Sequence, residues 1–195
     1  MIIGITGTIR SGKDTAANYL VSKGFTHYSL SDYIRKVVKE QGLDQTDRTI
    51  LQRVANELRA TNCPGYLAEK ALENFLPEMN YAVSSIRNPS EIKVLRRNGG
   101  FALISIDAPL EDRYERALLA GDKKFQTFDE FVESEQFENS KDPNNQQLHV
   151  CISMADYAIF NPGIGAENKK LLEQKIDRAL TDLGNRFGKL EKREQ

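Results

Sequence analysis

The sequence predicts an α/β protein in three layers: a five-stranded parallel sheet with helices on both faces and a polar insert late in the chain. Three observations carry this. Short apolar runs at 2–6, 26–29, 81–85, 102–107 and 157–161 alternate with helical patterns, the arrangement that buries a parallel sheet on both sides. The first run feeds into a glycine-rich loop and then a helix. Residues 121–147 form a polar stretch longer than connections inside one domain normally are.

The elements follow in order. Met1-Ile2-Ile3-Gly4-Ile5 reads as a buried strand, and Gly7-Thr8-Ile9-Arg10-Ser11-Gly12-Lys13-Asp14-Thr15 follows it, opening a helix over 13–23. Strand, glycine loop ending in Gly-Lys, and helix are the context of a P-loop, whose N–H groups and helix N-terminus receive phosphate while the lysine reaches the outer phosphates. Gly7, Thr8, Arg10, Ser11, Gly12, Lys13, Asp14 and Thr15 are therefore candidate nucleotide-binding residues. Asp14 stands where a Mg²⁺-ligating Ser or Thr usually follows the lysine; a carboxylate there can hold the ion through water.

After the second strand, Ser31 is placed to cap a helix over 31–41, with Asp32 in its first turn and Arg35 beyond. Helices at 46–62 and 66–76 follow, the first carrying Arg59. Arg87 directly follows the third strand, at the strand ends where such sheets bind ligands. Helix 90–98 leads to the fourth strand, then a helix over 110–119 puts Arg113 and Arg116 on one face, three residues apart. Arginine suits these places because its planar fork binds phosphate through two hydrogen bonds. Phe125, Phe128, Phe131 and Phe137 give the insert some helix and local packing rather than a base-stacking platform. Asn161 begins the loop after the fifth strand, and 167–186 reads as a final helix.

A chain of 195 residues fits a single domain over 1–195, with a lid at about 121–147 and a frayed tail at about 188–195. The net charge of −1 gives no electrostatic reason for binding nucleic acid or membrane surfaces. Cys63, Cys151, His27 and His149 are isolated and match no metal-ligand spacing, so a reducing, cytoplasmic setting is expected.

With these blocks the chain resembles the P-loop nucleoside and deoxynucleoside monophosphate kinases. Within that group it is similar to dephospho-CoA-kinase-like proteins and to the N-terminal kinase-like domain of some deoxycytidylate deaminases. The resemblance rests on 7–15, Ser-Leu-Ser-Asp-Tyr-Ile-Arg at 29–35, Asn-Glu-Leu-Arg at 56–59, Ser-Ile-Arg-Asn-Pro-Ser-Glu at 85–91, Ser-Ile-Asp-Ala-Pro at 105–109, Gln-Gln-Leu-His at 146–149 and Ala-Asp-Tyr-Ala-Ile-Phe-Asn at 155–161. Where many relatives carry an acid at the end of the third strand, Ser84 and Ser85 stand, which moves the Mg²⁺ role to Asp14 and Asp32.

The resemblance implies a kinase using ATP and Mg²⁺, with a (deoxy)nucleoside monophosphate as acceptor and dephospho-CoA as the alternative. Lys13, Asp32, Arg113 and Arg116 are expected to be catalytic. Ser31, Asp32, Arg35, Arg59 and Arg87 are expected to hold the acceptor, and Asn161 to lie beside the nucleotide base. Small nucleotides are the expected partners, without nucleic acid or membrane, and a homodimer stays open. The rival from another class is a non-catalytic nucleotide-binding regulator.

Overall fold

β1 (Ile2–Gly7) is buried along its whole length, because it is the central strand of the sheet. In the computed structural model, which describes residues 1–122 and 125–191, it pairs in parallel with β3 (Tyr81–Ser84) on one side and β4 (Phe101–Asp107) on the other. β2 (Thr26–Ser29) and β5 (Tyr157–Phe160) complete the order β2-β3-β1-β4-β5, every pairing parallel. The five strands expected from the sequence are all present.

Side chains alternate along β1. Ile3 and Ile5 enter a core with α1 (Lys13–Ser22) and α9 (Gly165–Glu191). Ile2 enters the opposite core, with α2 (Leu30–Glu40), α3 (Arg48–Thr61), α4 (Tyr66–Leu72) and α5 (Pro89–Arg97). Gly4 faces that second core, and a Cβ there would come within 2.7 Å of the Phe101 ring and 2.8 Å of Ile86. The absent side chain is what lets those two pack against the central strand.

The insert is folded. α6 (Leu110–Leu119) leads into it, and α7 (Phe128–Gln136) starts at Thr127, which closes a reciprocal cap with Glu130. Phe125 and Phe131 pack with Ile9 and Ala117 as a small third core, so the phenylalanines do pack locally, although Phe137 is exposed. Residues 139–147 double back through an antiparallel bridge between Asn139 and Gln147, and Gln147 N donates to Arg87 O at 2.8 Å. A short helix, α8 (Leu148–Ser153), follows; its six residues show too little periodicity to be legible in advance. α9 runs to Glu191, past the boundary its pattern suggests; Lys123 and Lys124 of the expected lid and residues 192–195 of the expected frayed tail lie outside the described residues.

Candidate functional site

The sheet order places a topological switch beside β1, and the loop after β1 opens there, at the carboxyl ends of the strands. Gly7 makes the turn at φ +141°, where an added Cβ would lie 1.9 Å from Ile106 O. Gly12 turns the loop into α1 at φ +111°.

Four consecutive carbonyls of this loop are each taken by a side-chain donor. Lys13 Nζ donates to Thr8 O at 2.5 Å, Arg113 Nη1 to Ile9 O at 3.3 Å, Arg116 Nη1 to Arg10 O at 3.0 Å, and Asn161 Nδ2 to Ser11 O at 2.8 Å. Thr8 Oγ1 also donates to Asp107 Oδ1 at 2.6 Å. With the carbonyls held against the protein, the N–H groups of Gly12, Lys13, Asp14 and Thr15 have no acceptor among the described residues. Such a row of free donors at a helix N-terminus is an anion receptor.

These donors correct two expectations, for Arg113 and Asn161, and give Arg116 a second task. Arg113 is buried on Ala108 O, Ile9 O and the Glu135 carboxylate, and does not line the cavity below. Arg116 spends its fork on the carbonyls of Arg10, Asn161 and Gly163. Asn161 is buried behind the loop. All three shape the loop; Arg113 and Asn161 lie behind it, while Arg116 also lines the cavity above it.

Above the loop lies a cavity of about 510 Å³. Among the described residues, Lys13, Arg10, Arg48, Arg87 and Arg116 line it against two acids, Asp14 and Asp122. Asp122 is already paired with Arg10 at 2.6 Å. Burial lowers the Lys13 ammonium to a pKa of about 8, with Arg87 adding to the effect and Glu138 opposing it. The free N–H groups and the excess of cations fit the phosphates of a nucleotide, and Asp14 and Thr15, both lining the cavity, fit an accompanying divalent cation. Among the described residues no group of three or more His, Cys, Asp or Glu could hold a metal by itself.

A second cavity of about 350 Å³ adjoins the first, and Arg48, Ser85 and Arg87 line both. Ser31, Arg35 and Gln146 give it polar walls, and Ile34, Leu51 and Ala55 an apolar one. Ser85 is a non-glycine residue at φ +62°, its Oγ 2.8 Å from Ser29 Oγ, so backbone strain is held at the shared wall. Ser31 is not the helix cap expected. The cap position is Ser29, and Ser31 sits in the first turn, where it accepts from Arg35 Nη1 at 2.5 Å.

Two further expectations change. Asp32 lines neither cavity; its carboxylate is exposed and 3.8 Å from Arg35. Ser31 and Arg35 share a helix face one turn apart, and the residue after Ser31 points elsewhere. Arg59 reaches the wall of the second cavity, but its guanidinium is buried against Glu91, 2.8 Å away, and is neutralised there.

Sequence reading missed Arg48 and Glu138. Arg48 occupies the first turn of α3 after the Asp47 cap, where an arginine has no helical reason to be. Glu138, one of many acids in the insert, is 4 % exposed and accepts from both Arg48 and Arg87. Burial alone would push its carboxyl up; Arg87 and Arg48 outweigh that and hold it below the usual carboxylate range.

Known proteins resemble this chain in sequence and in fold. A UPF0200 protein of Pyrococcus abyssi is 29 % identical over 190 residues, covering 92 % of this chain and 97 % of that one. A UPF0200/UPF0201 protein of Archaeoglobus fulgidus is 29 % identical over 169 residues, and the alignment spans 83 % of this chain but only 50 % of that protein. In structure, shikimate kinase from Aquifex aeolicus superposes with a TM-score of 0.53 at 17 % identity, covering 96 % of this chain and 99 % of that one, a likeness of fold. The fold is thus that of the P-loop kinase-like proteins. No described helix is long and apolar enough to cross a membrane. The sequence profile of the AAA domain matches residues 3–138, more than half of the length, and the chain belongs to that family.

Proposed function

We propose that the chain is an ATP-dependent kinase that transfers the γ-phosphoryl group to a (deoxy)nucleoside monophosphate or a similar phosphate-bearing acceptor. The observation that carries this is the shared wall: a phosphate-loop cavity and a half-apolar cavity meet at Arg48, Ser85 and Arg87. A donor in the first and an acceptor in the second would bring reacting oxygens together at a cluster of cations. Such positioning and charge neutralisation supply most of the catalysis in phosphoryl transfer.

Lys13 and the loop N–H groups hold the donor's outer phosphates in this reading. Arg87, Arg48 and Arg35 receive the acceptor's anion, and the Ile34–Leu51–Ala55 wall receives its uncharged body. A bound Mg²⁺, held by Asp14 and the Thr15 hydroxyl, would neutralise phosphate charge. Dephospho-CoA is the alternative acceptor, since it too combines phosphate charge with uncharged groups.

A second reading is a nucleotide-binding regulator without turnover. It is favoured by Ser84 and Ser85 at the end of β3, where no carboxylate stands to position a cation. The test is ADP formation, screened over nucleoside monophosphates, deoxynucleoside monophosphates and dephospho-CoA. Acceptor-dependent ADP release supports the kinase. Nucleotide binding with no release against any acceptor supports the regulator.

A further inference from the structure

Glu138 comes from the polar insert, yet its carboxylate is buried against Arg48 and Arg87, the two arginines that line both cavities. Its Oε1 accepts from Arg48 Nη2 and from Arg87 Nη1. Arg87 Nη1 also donates to Gln146 Oε1 at 3.2 Å. The backbone of Glu138 is held as well: its N–H donates to Glu135 O at 3.1 Å, and its carbonyl accepts from Leu148 N at 2.9 Å.

This receptor is only partly satisfied. Both arginines use Nη atoms on a single carboxylate oxygen, and the remaining guanidinium nitrogens, Nε included, have no acceptor among the described residues. Lys13, whose ammonium donates to Thr8 O, lines the first cavity together with both arginines. Two guanidiniums thus meet on one monoanion, and a third cation lines the cavity beside them. A tetrahedral dianion, with three or four acceptor oxygens, matches two guanidinium forks and an ammonium better than one carboxylate does. The two anions cannot share the position, since like charges at contact repel in a poorly hydrated site.

We propose that Arg48, Arg87 and Lys13 form a subsite for a phosphate dianion at the junction of the cavities, and that Glu138 is a built-in competing anion which leaves when phosphate enters. This rests on the kinase reading only in treating the cavities as substrate sites. It makes the insert responsive to occupancy: departure of Glu138 pulls on the segment that follows α7.

The test uses the full chain with saturating MgADP on the phosphate loop and titrates inorganic phosphate by calorimetry. Glu138→Gln keeps the shape and removes the competing charge, so phosphate should bind at least about tenfold tighter than to the wild type. Arg48→Gln should bind it about tenfold weaker. Unchanged or weaker phosphate binding by a folded Glu138→Gln protein overturns the inference. If that variant melts below the assay temperature, Glu138→Asp, which retracts the carboxylate by one methylene, must still tighten phosphate binding; no tightening overturns the inference equally. Failure of the wild type to bind MgADP would instead overturn the donor-site reading. The phosphate titration is then run on the ligand-free proteins, with the same order of affinities required.

Discussion

Arg59 and Glu91 form an ion pair in which both side chains are out of water, with Arg59 Nε and Nη2 3.0 and 2.8 Å from the same carboxylate oxygen. The other oxygen of Glu91 accepts from the N–H groups of Arg87 and Asn88, so one carboxylate ties α3 to the start of α5 and to the backbone of the site. Removing one partner of such a pair strands a buried charge. Arg59→Ala should therefore cost about 3–5 kcal/mol in urea denaturation. An acceptor-binding arginine would behave differently: substrate affinity would fall with the denaturation midpoint unchanged, and that result would restore the role expected from the sequence.

Lys13 carries a pH signature. Its pKa is lowered from 10.5 to about 8, so below pH 8 the folded protein holds a poorly hydrated ammonium at a cost. As pH rises from about 8 toward the unfolded value, the folded state releases its proton first, and this contribution to stability improves. Ligand binding runs the other way. Phosphate favours the ammonium, so nucleotide binding near pH 8.5 should take up protons, and affinity should fall as pH rises above 8. Calorimetry in buffers of different ionisation enthalpy measures the uptake; Lys13→Ala should abolish it and lower turnover at least about a hundredfold.

Asn88 anchors the insert. Its Nδ2 donates to Pro143 O at 2.7 Å and Asn145 O at 2.9 Å, while its Oδ1 accepts from Ser90 N at the start of α5. Asn88→Ala loses cap and anchor together and should cost about 1–2 kcal/mol. Asn88→Asp keeps the cap but lacks the donors. It should speed amide exchange across 138–147 while leaving α5 protected, and equal exchange in both segments would show that Asn88 does not hold the insert.

Gly7 and Gly24 both have positive φ but differ in their surroundings. A Cβ on Gly7 would meet Ile106 O at 1.9 Å, whereas one on Gly24 would meet nothing within 4 Å. Gly24→Ala should cost only about 1–2 kcal/mol for the left-handed backbone. Gly7→Ala must also displace the central strand from β4 and should cost more than about 3 kcal/mol or fail to fold. Thermal melts of the two variants side by side read the difference, and similar midpoints would contradict the close approach.

The phosphate loop was legible because its signal is local. Gly7, Gly12 and Lys13 lie within seven residues, and the positive φ of the two glycines is unavailable to most other residues. Arg87 was legible for a related reason: a residue directly after a buried parallel strand stands at the ligand edge. Asp32 shows where such reasoning stops. Being one residue from Ser31 places it near the site in sequence, but the helix turns it away.

The sequence by itself determined the strand set, the parallel sheet and the loop at its carboxyl edge, since periodicity, apolar runs and glycine positions act within one element. Which charges are available there was decided only by the tertiary structure. Arg48 meets Glu138 across 90 residues, Arg113 meets Ile9 across 104, and Arg59 meets Glu91 across 32. Arginines after strands and in helices look alike in a sequence. Whether a guanidinium is consumed by a carbonyl, neutralised by a buried acid or left facing a cavity depends on which donors and acceptors the packed layers bring within 3 Å, and no local pattern encodes that.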